Sequence, residues 1–136
     1  MLSSGTKIGI DIAELITSII ENTHSFYYCD EKFTYIQSDI EKACLSLMIQ
    51  ALHDNEQLFF TTHNLDILDL PLPKHSFIFL KKYIEEGITY IEPISASKYL
   101  KRNTDSIRNA VDNDLFSTTP SLSLIYELVA IITKNE

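Results

Sequence analysis

Apolar residues return every three or four positions at the start of the chain, at Ile8, Ile12, Leu15, Ile16, Ile19 and Ile20. That spacing places them on one side of a helix, and Ser3, Ser4 and Gly5 just ahead are capping types, so residues 7–22 are predicted to form an amphipathic helix. The pattern then contracts to a short apolar and aromatic run, Ser25-Phe26-Tyr27-Tyr28-Cys29, which stops at Asp30-Glu31. Such a run predicts a buried parallel strand lying inside a sheet. Helical spacing resumes at Ile40, Ala43, Cys44, Leu47, Met48 and Leu52 after a Ser38-Asp39 start, predicting a second helix to about His53. A second compact run, Gln57 to Thr62, ends at His63-Asn64. Strand, helix and strand in this order predict a βαβ unit with parallel pairing, whose strands deliver polar side chains to one sheet edge.

Beyond the Pro71-Leu72-Pro73 break, residues 75–80 and 88–94 read as two strands separated by Glu85-Glu86-Gly87, forming a hairpin on the margin of the sheet. A polar helical stretch around residues 105–114, a loop at 117–120 and an apolar helix over 122–132 complete the expected elements. No internal repeat or low-complexity segment is present.

Composition narrows the class. The chain has 136 residues, 45% hydrophobic and 22% charged, with 3 Gly and 4 Pro, the balance of one ordered globular domain. A net charge of −8 argues against direct neutralisation of a nucleic-acid backbone, which needs clustered Lys and Arg. Lys101, Arg102 and Arg108 read as a solvated basic group in an acidic protein. Cys29 and Cys44 are expected to be reduced core residues. No apolar run reaches the roughly 20 residues needed to span a bilayer, so the expectation is a cytoplasmic chain without a membrane partner.

The candidate chemistry lies where these elements begin and end. Ser3-Ser4-Gly5-Thr6 opens a helix, whose free N–H groups and positive dipole end favour an anion, although alone it is an ordinary N-cap. Asp30-Glu31 at a strand end is a carboxylate pair suited to hard Mg²⁺ and to a positioned base, although alone it is also an acidic turn. His63 follows the second strand. His24, His53 and His75 have no comparable context, and their spacing gives no metal-binding pattern.

Leu2-Ser3-Ser4-Gly5-Thr6, Tyr27-Tyr28-Cys29-Asp30-Glu31 and the run QLFFTTHN over 57–64, in this order, resemble the ABC-type ATPases. The nearest likeness is to the bacterial branch related to the OLD and SMC/RecF-like proteins, often labelled AAA-family ATPases. The resemblance continues through residues 77–81, 95–103 and 106–120 and covers nearly the whole chain. It implies an α/β fold, the C-terminal portion of a P-loop NTPase domain with a mostly parallel sheet, flanking helices and a marginal hairpin. It further implies that Ser3, Ser4, Gly5 and Thr6 belong to the signature, which binds the γ-phosphate held by an opposite subunit. Asp30 would then hold Mg²⁺ through water, Glu31 would polarise the attacking water, and His63 would contact the γ-phosphate of ATP. Residues 34–41 occupy the place of the D-loop, but they are longer than the family pattern and lack its His-Pro.

No G-x-x-x-x-G-K-[ST] occurs, so the lysine and amide cradle that hold the β-phosphate are missing from these residues. The sequence is therefore expected to represent a half-domain, from a truncation, a split gene or an expressed fragment. Its implied partners are an N-terminal P-loop half or a full-length homologue, in a homo-oligomer, with any DNA contact indirect. Two alternatives stay open at this point: a non-catalytic dimerisation or interaction module, and a gene fragment without function.

Overall fold

A computed structural model of the chain describes residues 3–102 and 105–117. The loop expected at 117–120 lies almost wholly outside these residues, and the apolar helix expected at 122–132 lies wholly outside them. The chain forms two compact units, Met1–Leu70 and Pro71–Glu136, and the architecture is mixed α/β.

In the first unit, α1 spans Ser4–Ile20. Ser3 caps it: its hydroxyl accepts the Thr6 N–H at 3.2 Å, satisfying one of the donors a helix start leaves open. The far end closes through Asn22, whose φ of 52° lies in the left-handed region. There Thr23 N–H reaches Ser18 O at 3.1 Å and Asn22 N–H reaches Ile19 O at 3.0 Å, the two bonds of a Schellman closure.

Strand β1, Phe26–Asp30, pairs in parallel with β2, Gln57–Thr61, with Phe26 opposite Gln57 and Asp30 opposite Thr61. Helix α2, Ser38–Ala51, is the crossover between them. The βαβ unit and its parallel pairing thus stand as the apolar pattern implied. Ile12, Ile19, Tyr27, Cys29, Phe33 and Met48 form the buried core, with Leu15, Ile16, Cys44, Leu58 and Phe60 packed on it. Cys29 is buried and Cys44 half-buried, and neither is bonded to another cysteine. Burial raises the pKa of both thiols above the ordinary value.

One expectation for this unit stands and one changes. Helix α2 begins at Ser38 as expected, but Gln37 in the cap position makes no side-chain cap bond. The dipole of α2 is complemented instead by Asp39 and Glu41 in its first turn. Strand β1 is buried on one face only: Tyr27 and Cys29 point into the core, whereas Phe26 and Tyr28 are 54% and 56% exposed. The helices α1 and α2 supply core residues to one side of this pair, and on the other Phe26, Tyr28 and Phe59 are exposed.

In the second unit, β3, Ile78–Glu85, pairs antiparallel with β4, Ile88–Ser95. The strands meet through a two-residue loop, Glu86-Gly87, with φ of 51° and 80°. Both values are positive, as the type I′ hairpin turn requires, and its twist matches that of the strands. The hairpin expected on the margin of the parallel sheet forms a two-stranded sheet of its own. It also starts later than the apolar run suggested, because residues 74–76 coil into a short 3₁₀ turn behind Pro73 and Ser76 N–H bonds Pro73 O at 2.9 Å. Two short helices follow, α3 at Ala96–Tyr99 and α4 at Ile107–Asp112. Helix α4 falls within the polar helical stretch expected there, and Ile107, Ala110 and Val111 are buried. Phe116 is also buried and stacks on Phe79, with ring centroids 4.3 Å apart.

Candidate functional site

The parallel register brings the C-terminal ends of β1 and β2 side by side, with Asp30 and Thr61 as partners. Side chains that follow two adjacent strands therefore meet across a gap of one strand spacing, which is the usual location of ligand sites in open α/β sheets. Thr61 locks the pair. Its hydroxyl donates to Asp30 Oδ1 at 2.6 Å and accepts the Glu31 N–H at 3.0 Å. That N–H also reaches Thr61 O at 3.2 Å. The Tyr28 hydroxyl donates to the same Asp30 Oδ1 at 3.3 Å, and the Asp30 charge beside it holds the Tyr28 phenol above its ordinary pKa.

The strand ends at Glu31 because its φ of 45° turns the backbone into the left-handed region. A side-chain-bearing residue there costs about 1 kcal/mol, and such strain collects at functional turns. The turn is held by Thr34, whose hydroxyl donates to Glu31 O at 2.6 Å. Its consequence is directional: Glu31 Oε1 lies 2.8 Å from His63 Nε2. These side chains are 47% and 83% exposed, so the contact adds little stability and its interest is geometric.

Asp30, Glu31 and His63 are therefore brought together. Ser3, Gly5 and Thr6 are not part of this cluster, and the Ser4 side chain lies outside the described structure. The Ser3 and Thr6 hydroxyls bond each other at 2.7 Å on the exposed start of α1. A Cβ on Gly5 would meet nothing within 4 Å, so no packing inside the described structure demands glycine there. Helix α1 connects to the site further along, where Asp11 Oδ2 lies 3.3 Å from Lys32 Nζ. Asp11, Lys32 and Glu31, with Ile8, Thr34 and Tyr35, line a shallow open depression of about 350 Å³.

Behind His63 lies a polar group that the sequence reading missed. Glu41, on α2, is only 3% exposed. Its carboxylate accepts from Thr62 Oγ1 at 2.6 Å and Asn64 Nδ2 at 2.7 Å. Ser38 Oγ accepts from Asn64 Nδ2 at 2.9 Å and donates to Asp66 Oδ2 at 2.6 Å. The only sequence signal for this group is a glutamate on the apolar side of a helix, one turn before Leu45.

Among the described residues no three His, Cys, Asp or Glu side chains gather to cage a metal ion. Asp30 fits a Mg²⁺ ion of the phosphate-bound kind, which takes one or two carboxylates and completes its shell with water and phosphate oxygens. Its Oδ1 is taken by two hydroxyls, and no described residue bonds Oδ2.

Compared with protein-family models, with curated proteins and with solved structures, the chain matches none. Among the described residues no helix is long and apolar enough to cross a membrane.

Proposed function

We propose that the chain is the C-terminal half of an ATPase domain of the ABC type, working in ATP binding and hydrolysis once a P-loop half completes it and the domain dimerises. The observation that carries this reading is the placement of Glu31 and His63, 2.8 Å apart, beyond the ends of two parallel strands, with Asp30 locked beside them by Thr61. Phosphoryl transfer asks a protein chiefly for positioned charge and a positioned nucleophile. In this reading Glu31 accepts a hydrogen bond from the attacking water, His63 donates to the γ-phosphate, and Asp30 holds Mg²⁺ through water. The ion, when bound, neutralises charge on the β- and γ-phosphates. Ser3, Ser4, Gly5 and Thr6 serve a nucleotide held by the opposite subunit, where the N–H groups and dipole of a helix start favour an anion.

The exposed aromatic side chains of the parallel pair support the need for a second half. Phe26 and Phe59 lie there with centroids 5.1 Å apart and rings tilted by 37°, both exposed, beside exposed Tyr28. Parallel strands are normally covered on both faces, and a two-stranded sheet is marginal alone. The partner is thus an N-terminal P-loop half or a full-length homologue, in a homo-oligomer without a membrane role. DNA contact, in DNA maintenance or phage defence, is indirect.

The test is Mg²⁺-dependent ATP hydrolysis by the chain mixed with a separately expressed P-loop half. Hydrolysis in the mixture that falls by about 10²-fold or more in Glu31→Gln supports the reading. No hydrolysis in the mixture overturns it, as does tight nucleotide binding by the chain alone, because these residues contain no P-loop.

A further inference from the structure

A buried carboxylate is costly unless its oxygens find strong donors. Glu41 meets that condition with two partners, and both flank one residue: Thr62 precedes His63 and Asn64 follows it. The clamp closes on itself. Asn64 N–H donates to Thr62 Oγ1 at 2.9 Å, so the hydroxyl that donates to Glu41 also receives the backbone beyond His63. Asn64 Oδ1 accepts the Asp66 N–H at 3.0 Å and starts the 3₁₀ turn at Leu65–Asp69. Ser38, one turn before Glu41 on α2, adds its bonds to Asn64 and Asp66. His63 alone of residues 62–64 turns outward, 83% exposed, to meet Glu31.

We infer that Glu41 is a positioning residue for His63: by holding Thr62 and Asn64 to α2, its carboxylate fixes the turn that aims the imidazole at Glu31. The inference deepens the ATPase reading and rests on it for its catalytic consequence, but the geometric part stands independently. A leucine at position 41 fills similar space and removes both acceptors. A glutamine can keep both bonds, accepting from Asn64 through its oxygen and donating to the Thr62 hydroxyl, which then rotates. Charge is therefore dispensable and the paired hydrogen bonds are not.

The test reads the His63 ring directly by NMR in the full chain, with its signal assigned from the loss in His63→Asn. Glu31→Gln defines where that signal lies when the pair is broken. The expected result is that Glu41→Leu moves the His63 signal more than halfway to its Glu31→Gln position, while the His24 and His53 signals stay in place and Glu41→Gln restores it. A His63 signal in Glu41→Leu that coincides with wild type overturns the inference. Should Glu41→Leu not fold, the double variant Thr62→Val with Asn64→Ala removes the clamp from the other side. It is expected to displace the signal equally, and a wild-type position there also overturns the inference. With a P-loop half added, Glu41→Leu should lower kcat by about tenfold or more with little change in KM for ATP, as expected when positioning and not binding is lost. An unchanged kcat overturns the catalytic role. No hydrolysis by the wild-type mixture removes the ATPase reading while leaving the ring-shift result to decide the positioning role.

Discussion

The two sheets of this chain are built from similar residues and serve opposite ends. In the parallel pair, strands of five residues each put one face into a core and carry Asp30 and Thr61 at their C-terminal ends. In the hairpin, strands of eight residues are held together by a tight turn and a Tyr83–Tyr90 stack at 5.4 Å, and most of their side chains are exposed. The parallel pair depends on contacts far apart in sequence, so its ends are defined by α1, α2 and the turn after β2. The hairpin depends on neighbours in sequence, and its register follows from two residues. Long-range pairing places chemistry from distant segments at one point, whereas local pairing builds a hairpin without doing so.

The largest expected effect tests whether the parallel pair owes its position to the core behind it. Ile19 is fully buried in that core, and Ile19→Ala should lower stability by about 2 to 5 kcal/mol in urea unfolding. A loss under about 1 kcal/mol would mean that the pair stands without α1. Thr61→Val removes the bonds that join Asp30 and Glu31 and should lower stability by about 1 to 2 kcal/mol. It should also shift the His63 ring signal, since the Glu31 N–H loses the Thr61 hydroxyl and keeps only the Thr61 carbonyl. For the hairpin, Glu86→Asn places Asn-Gly in the type I′ turn and should raise stability by about 0.5 kcal/mol, read as a higher unfolding midpoint. A lower midpoint would break the claim that the turn sets this sheet.

The smallest effect is a pH slope in the first unit. Hydrogen bonds from the His53 backbone N–H, the His53 ring and the Tyr27 hydroxyl hold the Glu56 carboxyl below its ordinary pKa. A depressed carboxyl contributes stability that is present above its unfolded pKa of about 4.3 and is lost as pH falls through the lower folded value. Unfolding midpoints measured from pH 6 down to pH 2 should therefore fall less steeply in Glu56→Gln than in wild type.

Much of the first unit was legible in the chain because its elements announce themselves locally. Ser3 ahead of Ile8 and Ile12 marks α1, and the runs at Tyr27 and Phe59 mark strands whose order predicts parallel pairing. The Asp30, Glu31 and His63 cluster followed from that pairing, since residues just past the ends of adjacent parallel strands must lie near one another. Glu41 was not legible. A glutamate in the first turn of a helix is expected in water, and its burial depends on Thr62 and Asn64, more than 20 positions away. The start of β3 was misplaced for a related reason: an apolar run marks potential strand, but Pro73 and the bonds behind it decide where extension begins.

By itself the sequence determined α1, α2, the parallel character of β1 and β2, the hairpin and which polar residues reach the strand ends, because periodicity and turn chemistry act over a few residues. Only the tertiary structure decided that Thr61 couples Asp30 to Glu31, that Glu31 turns left-handed toward His63, and that Glu41 is buried to hold the turn. Those outcomes rest on hydrogen bonds between segments that meet only when the core has formed, and no local pattern carries them.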